Sequence, residues 1–319
     1  MKTLLVGYKA ADLKAKMLEG DVTCHVLDIY HRHAIEKVWH AKCVCSPHLP
    51  AGDWDLVKFR TGPKLMSGEL SLDLLQEVYA LKPGKIEIDF VGKERDRNSL
   101  LEKIKSDPER VRSFRAQWPA SVPGGEKLMF SSYPGCFCHR RLDEGGLALA
   151  EVVTRELSET GEALSILDMG CGSGLVGLLT ASYLTAKKMP PSKLVLVDSH
   201  SRAVEAAEEN AAKFSLPAEV ILSDNGTPRR MDGTFDVFVG NPPYYSDYRI
   251  AEVFLETAKR ALKEGGVCYS VCKNAAGLEP VQKRYFPEVE IIPRRGYAVL
   301  KSVKPQKSAT EEAEERKGC

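Results

Sequence analysis

Two doubly wound α/β domains in tandem are predicted for this chain by three features of its sequence. Residues 161–304 alternate short apolar runs with helix-like stretches and hold little else. Residues 1–115 repeat that rhythm in reduced form. Between the halves, Pro108, Pro119, Pro123, Gly124, Gly125 and Pro134 give the composition of a connecting segment. At 319 residues the chain exceeds one typical domain, and two domains are the natural division. The expected boundaries are 1–115, a linker over 116–130, a second domain over 131–304, and a disordered tail over 305–319, where Glu and Lys cluster.

In the second domain, residues 165–169 (SILDM) form an apolar run that stops at glycines, as a buried parallel strand does. Residues 174–187 then read as a helix and 194–198 (LVLVD) as a second strand. Residues 201–214 make an Ala- and Glu-rich helix with Ser201 as its expected N-cap. Strands follow at 219–224 and 235–240 (FDVFVG), a helix at about 250–263, and a strand at 267–273. Residues 289–293 and 297–303 flank Arg294–Gly296 and read as a terminal hairpin, which adds an antiparallel strand at or near one edge.

The first domain follows the same order. Strands are expected at residues 3–6, 25–28, 54–59 and 85–91, the last introduced by Pro83-Gly84, with helices at 10–18 and 70–81. Its glycines do not match. After residues 3–6 there is only Gly7, and residues 53–60 (DWDLVKFR) stand where the second domain has FDVFVGNPPY. The first domain keeps a scaffold without the chemistry.

Bulk properties set limits on function. Hydrophobic residues are 43% and charged residues 28%, the balance of a globular protein. A formal net charge of +1 gives no global basic field, so any nucleic-acid contact must come from local patches. Nine cysteines, an odd number without framework spacing, fit free thiols in a reducing cytoplasm. The apolar start breaks too early for a signal peptide. No stretch approaches the ~20 apolar residues needed to cross a bilayer.

The strongest chemical signal is Leu167-Asp168-Met169-Gly170-Cys171-Gly172-Ser173-Gly174. Alternate glycines let the backbone turn sharply from strand to helix while a ligand approaches closely. The helix amides then face a polar ligand. Asp168, at the strand end, is placed to meet a cationic amine. Gly172-Ser-Gly174-Leu-Val-Gly177 also spells the dinucleotide fingerprint, so a dehydrogenase is a competing class. Asp198 does not separate the two, since an acid after the second strand grips ribose hydroxyls in both.

The fourth strand does separate them. It ends in Asn241-Pro242-Pro243-Tyr244. Two prolines fix an extended turn without amide hydrogens. The Asn241 side-chain oxygen and the Pro242 carbonyl become two acceptors at one point, able to hold both hydrogens of a planar amino group. Tyr244 offers a face for a base to stack on. Asp224 closes the third strand on the same edge, beside Asn225, and is placed to accept from an adenine amino group; Asp-Asn-Gly is equally a turn sequence.

From about residue 130 to 304 the chain resembles the methyltransferase small domain of bacterial ribosomal RNA guanine-N2 methyltransferases. The resemblance is carried by Pro134-Gly135-Cys136-Phe137 with Leu142-Asp143-Glu144-Gly145, then Asp168 to Gly174, Asp198, Asp224 and Asn241 to Tyr244. The first half is similar to the degenerate copy of the fold that this family carries. The resemblance implies two class I methyltransferase-like domains in tandem, the N-terminal one degenerate and the C-terminal one with a terminal antiparallel hairpin. It also implies S-adenosylmethionine (SAM) as cofactor and ribosomal RNA or a ribosomal subunit as partner. Asp168, Gly170, Gly172 and Gly174 would line the methionine end of SAM. Asp198 would hold the ribose, and Asp224 with Asn225 the adenine. Phe137 would help cover the cofactor, and Asn241, Pro242, Pro243 and Tyr244 would hold the target base.

One feature departs from the family, which continues Asn-Pro-Pro-Phe-His where this chain has Tyr244 and Tyr245. Asn-Pro-Pro-Tyr is also usual in adenine-N6 and protein glutamine-N5 methyltransferases. Methyl transfer to an amine is expected, with guanine N2 first and those two as alternatives. A glutamine enzyme usually carries a helical N-terminal domain, and a non-catalytic scaffold would have lost the SAM residues.

Arg140-Arg141, Arg229-Arg230 and Arg294-Arg295 suit phosphate through the bidentate guanidinium fork. Arg140, Arg141, Arg294 and Arg295 are the candidate RNA contacts, with Lys58, Arg60 and Lys64 a smaller patch. His31, His33, His40, Cys43, Cys45 and His48 fit no standard zinc spacing, and no metal is expected. A monomer is compatible with every feature of the sequence.

Overall fold

The structure, a computed structural model, describes residues 1–105, 112–243 and 248–306. The chain divides into two compact units. The first comprises Met1–Gln117, Ser131–Arg140 and Ser199–Ala206; the second comprises Trp118–Phe130, Arg141–Asp198 and Ala207–Cys319.

The first unit contains β1 (Lys2–Val6), β2 (Asp21–Val26), α1 (Ile29–Trp39), β3 (Cys43–Cys45), β4 (Leu56–Thr61), α2 (Gly68–Ala80), β5 (Lys85–Phe90) and α3 (Glu94–Lys105). The strands form one sheet in the order β3-β2-β1-β4-β5, and every neighbouring pair is parallel. Strand side chains alternate between faces, so β1 sends Leu4 and Val6 to a cluster with Val57, Phe59, Leu74 and Leu75. Leu5 goes to the opposite cluster with Cys24, Val26 and Ile35.

Two expectations for this unit are corrected. The helix expected at 10–18 is two short 3-10 turns, Ala10–Asp12 and Ala15–Met17. Leu13 and Lys14 between them are extended. The Ala10 carbonyl, which an α-helix would give to the amide four residues on, instead accepts the Trp39 indole N–H at 2.8 Å. The strand expected to end at Asp28 ends at Val26, and Asp28 caps α1 by accepting the Tyr30 amide at 2.9 Å. Helix α3 carries mostly polar residues; α1 mixes apolar Ile29, Ala34, Ile35, Val38 and Trp39 with charged and polar residues, and neither helix was anticipated.

The segment expected as a linker forms two paired strands, β6 (Ala116–Ala120) and β7 (Leu128–Ser132). Trp118 stacks on Phe130 with centroids 5.1 Å apart, and Phe130 meets Phe214 edge-on. Apolar burial, rather than the prolines, decides the conformation there.

The second unit continues with α4 (Glu144–Ser158), β8 (Ser165–Met169), α5 (Leu175–Ala186), β9 (Lys193–Asp198), α6 (Ser201–Lys213, of which Ser201–Ala206 belongs to the first unit), β10 (Glu219–Leu222), β11 (Phe235–Gly240), α7 (Arg249–Ala261), β12 (Leu262–Cys272), α8 (Ala275–Gln282), β13 (Glu290–Arg294) and β14 (Tyr297–Val303). Its sheet runs β10-β9-β8-β11-β12-β14-β13. The first five strands are parallel, and β14 lies antiparallel between β12 and β13. Leaving out β14 and β13, this is the strand order of the first unit. The expected class I arrangement with its terminal hairpin is present, the hairpin placing β13 at the edge. Pro293 lies in that edge strand, where a residue without an amide hydrogen is tolerated. The tail expected at 305–319 lies, from residue 307 on, outside the described residues. Among the described residues no helix is long and apolar enough to cross a membrane.

Candidate active site

Strand register gathers the candidate residues of the second unit. Met169 pairs with Val197 and with Gly240, and Asp198 pairs with Leu222. The chain therefore leaves β8, β9, β10 and β11 at one carboxyl edge, with β8 at the point where strand order reverses, where ligands of such sheets bind. Gly170, Asp198, Asp224 and Asn241 all lie on that edge.

The glycine turn is built on left-handed backbone: φ is +68° at Gly170, +56° at Gly172 and +86° at Gly174. The amides of Gly170 and Cys171 both donate to the Val197 carbonyl, at 2.8 and 3.0 Å, and fold the loop back over β9. A Cβ at Gly170 would lie 2.6 Å from the Phe254 ring, and one at Gly174 would lie 2.7 Å from Leu178. At Gly172 a Cβ would meet nothing within 4 Å, so this glycine faces open ground. Helix α5 begins at the turn with no cap from its N-cap residue; Asp168 takes the Gly177 amide, which leaves those of Leu175 and Val176 for a polar ligand.

Three acids surround this turn. Asp168 is 1% exposed, and its Oδ2 accepts the Gly177 amide at 2.8 Å. Burial pushes its pKa up to about 7, against the Gly177 hydrogen bond and with help from the charges of Asp198 and Asp143. Asp198 Oδ2 accepts the Gly172 amide at 2.9 Å and so ties the end of β9 to the glycine turn. Asp143 caps α4: Oδ1 accepts the Gly145 amide at 3.0 Å, and Oδ2 accepts the Asn241 side-chain NH2 at 2.8 Å. Burial raises the Asp143 pKa, and the Gly146, Asn241 and Gly145 donors oppose the rise.

Asn241 is half-buried and Pro242 buried. With the amide nitrogen turned to Asp143, Asn241 Oδ1 and the Pro242 carbonyl are the acceptors this turn contributes. Tyr244 lies outside the described residues. The expected strand 219–224 stops at Leu222, so Asp224 and Asn225 sit in the turn beyond it. There the Ser223 hydroxyl donates to Asn225 Oδ1 at 3.0 Å, which makes Asn225 a turn former as well as a neighbour of Asp224.

Phe137 belongs to the first unit and is 67% exposed. Arg140, also in the first unit, donates from Nε to both oxygens of Glu69, at 2.9 and 2.8 Å; Arg141 is exposed. The β13–β14 tip lies at the carboxyl edge, because Cys272 at the end of β12 pairs with Ala298. Its arginines are occupied, however: Arg294 bonds Glu151, and Arg295 bonds Glu144 at 2.7 Å and Glu151 at 3.3 Å. These acids reduce the charge the tip offers a phosphate.

Sequence reasoning did not single out Asp143 as a site residue. Helix α4, which it caps, was not anticipated either. The signal lay in the Asp143-Glu144-Gly145-Gly146 run, an N-cap acid before small residues. Tyr297 was also missed: its ring would lie 3.1 Å from a Cβ on Gly145, and Lys273 Nζ sits 4.2 Å from its centroid.

Residues 127–301 match the family described as the methyltransferase small domain. The chain belongs to that family. Among curated relatives, the small-subunit ribosomal RNA methyltransferase C of Haemophilus ducreyi is 34% identical over 143 residues, 44% of this chain and 40% of the relative. The same-named protein of Pseudoalteromonas translucida is 31% identical over 57% of this chain and 51% of its own length. The chain thus spans about half the length of the curated relatives it matches. Among solved structures, the T. thermophilus 16S rRNA N2 G1207 methyltransferase (RsmC), in complex with AdoMet and guanosine, aligns over 95% of this chain and 88% of its own. Its TM-score is 0.77 at 19% identity, a likeness of fold. For a methyltransferase small domain, Gly177 is no dinucleotide signature; its amide serves Asp168.

Proposed function

We propose that this chain is a SAM-dependent methyltransferase acting on an exocyclic amino nitrogen, guanine N2 of ribosomal RNA, in the cytoplasm. The observation that carries the reading is the convergence, at one sheet edge, of the glycine turn with Asp168 and Asp198 and the Asn241-Pro242-Pro243 turn. The curated relatives, named as small-subunit rRNA methyltransferases, support ribosomal RNA as the substrate class.

The residues present fit SAM. Gly172 leaves room where a side chain would intrude, Asp168 supplies a buried acid for a cationic amine, and Asp198 supplies the ribose acid. Asp224 and Asn225 stand at the next strand end for the adenine. When bound, SAM supplies an electrophilic methyl on a sulfonium. Asn241 Oδ1 and the Pro242 carbonyl accept the two hydrogens of the target amine and aim its nitrogen. Positioning and electrostatic complementarity then supply the rate. The guanine must leave its stack to reach this edge, which favours single-stranded or partly assembled RNA. Arg140, Arg141, Arg294 and Arg295 are the proposed phosphate contacts, the paired ones by exchanging a glutamate for a phosphate.

Transfer of labelled methyl from SAM to 30S subunits, 50S subunits, naked rRNA, tRNA and a release factor, followed by nucleoside and peptide mass spectrometry, tests the reading. N2-methylguanosine in rRNA is expected. N6-methyladenosine or N5-methylglutamine instead would overturn the assigned acceptor.

A further inference from the structure

We infer that Asp143 is a positioning residue: it holds the Asn241 carboxamide with its oxygen turned toward the incoming amine. This inference rests on the amine-methyltransferase reading above and adds a residue to it. An asparagine amide presents two faces of opposite character, two donors on nitrogen and an acceptor on oxygen. Left alone it could offer either to a ligand, and a donor aimed at an amino group would repel it. An ionised carboxylate accepts only, so the bond from Asn241 Nδ2 to Asp143 Oδ2 at 2.8 Å decides the flip.

Asp143 is itself fixed. Its other oxygen accepts the Gly145 amide at 3.0 Å, as the cap of the 15-residue helix α4. A Cβ on Gly146 would lie 2.6 Å from Asp143 Oδ2, so only glycine there lets the carboxylate lie flat against the helix start. Gly145 is hemmed in by Tyr297 and by Asp143 Oδ1, at 3.1 and 3.4 Å from its would-be Cβ. The two glycines of the Asp-Glu-Gly-Gly run therefore serve the placement of one carboxylate, 98 residues from the amide it orients.

Four proteins are compared: wild type, Asp143→Asn, Asp143→Ala and Asp143→Ser. The asparagine variant has one acceptor oxygen for two donors, the Gly145 amide and the Asn241 NH2, so it keeps the cap only by turning its own NH2 toward Asn241. The serine variant keeps a cap for α4 but lacks the second oxygen. Turnover of Asp143→Ala and Asp143→Ser is expected to fall about 100-fold in kcat, the scale of a misplaced reacting group. SAM affinity and the KM for rRNA should stay close to wild type, and Asp143→Asn, whose NH2 would turn the Asn241 amide the wrong way, should lose kcat to a similar extent. Independently of turnover, the Asn241 side-chain NH2 resonances, assigned through Asn241→Ala, should be displaced and exchange-protected in wild type and lose both properties in Asp143→Ser. Wild-type kcat in Asp143→Ser or Asp143→Asn, or unchanged Asn241 resonances in Asp143→Ser, would each overturn the inference. If wild type methylates no acceptor, the functional reading fails while the resonances still decide the role of Asp143.

Discussion

Asp168 accepts the amide hydrogen of Gly177 at 2.8 Å, and the fit is close enough that residue 177 has no room for a side chain. A Cβ there would lie 2.6 Å from Leu196 and 3.1 Å from the Asp168 carboxylate. The acid is thus held on the buried side of the glycine turn, where burial lifts its pKa to about 7. Its folded pKa lies above its unfolded one, so its contribution to stability is fully present below about pH 4 and is lost as pH rises through about 7.

A cationic ligand reverses that balance, because it favours the charged carboxylate. SAM affinity should therefore rise between roughly pH 6 and pH 8, with proton release on binding near neutrality. Calorimetry in buffers of different ionisation heat reads the released proton directly. Asp168→Asn should bind weakly and release none. A wild-type enzyme that binds SAM at pH 6.5 to 7 with no proton release would place the cation somewhere other than Asp168.

Asn241→Ala and Asp198→Ala should separate the two halves of the site. Asn241 offers its oxygen at the end of β11, and its loss should abolish transfer while SAM binding stays largely intact. Asp198 ties the Gly172 amide at 2.9 Å. Removing a charge-assisted bond of about 1.5–3 kcal/mol together with the ribose contact should weaken SAM binding at least about tenfold. Titration of both variants checks the pair, and loss of SAM binding in Asn241→Ala would refute the division of labour.

The legibility of this protein in its sequence follows the range of the forces involved. The strands of the second unit could be read because fully buried parallel strands are continuous apolar runs, and 165–169 and 235–240 were placed to the residue. The glycine turn and the proline turn could be read because they demand particular residue types. The helix at 10–18 could not be excluded locally, since Trp39, 29 residues from Ala10, takes the carbonyl the helix needed. The strands at 116–120 and 128–132 were not foreseen because Trp118 and Phe130 find each other only in three dimensions. Asp143 was missed as a site residue because its role is set by Asn241, far along the chain. The occupied state of Arg294 and Arg295 likewise depends on Glu151 and Glu144 of α4.

Gly170→Ala and Gly172→Ala should differ in what they damage. Both residues have left-handed backbone, which costs an L-residue roughly 1–2 kcal/mol. At Gly170 the new methyl would also strike the buried Phe254 ring, adding about 1–3 kcal/mol of overpacking. At Gly172 the methyl enters open ground, so stability should drop only by the backbone cost while SAM affinity falls. Urea denaturation and a SAM titration on each variant test the contrast. Equal destabilisation with unchanged affinity would show that Gly172 does not line the cofactor.

Arg202 supplies the last prediction, in the first unit. Its side chain is 1% exposed and bonds Asp73 at 2.6 Å, Glu77 at 3.1 Å, and the Pro47 and Pro134 carbonyls at 3.0 and 3.2 Å. Arg202→Met keeps much of the apolar stem but strands two carboxylates, and breaking a buried pair in this way costs about 3–5 kcal/mol. Most of that loss comes from the charges left behind rather than from the bonds removed. Adding Asp73→Asn and Glu77→Gln to Arg202→Met should therefore recover more than half of the lost stability, measured by chemical denaturation. His48, which bridges Glu77 and Glu205 at 3.1 and 3.0 Å, keeps Glu205 as its partner in the triple variant. If the triple variant is no more stable than Arg202→Met alone, the arginine holds this unit together through its carbonyl bonds to Pro47 and Pro134, and neutralising the acids is beside the point.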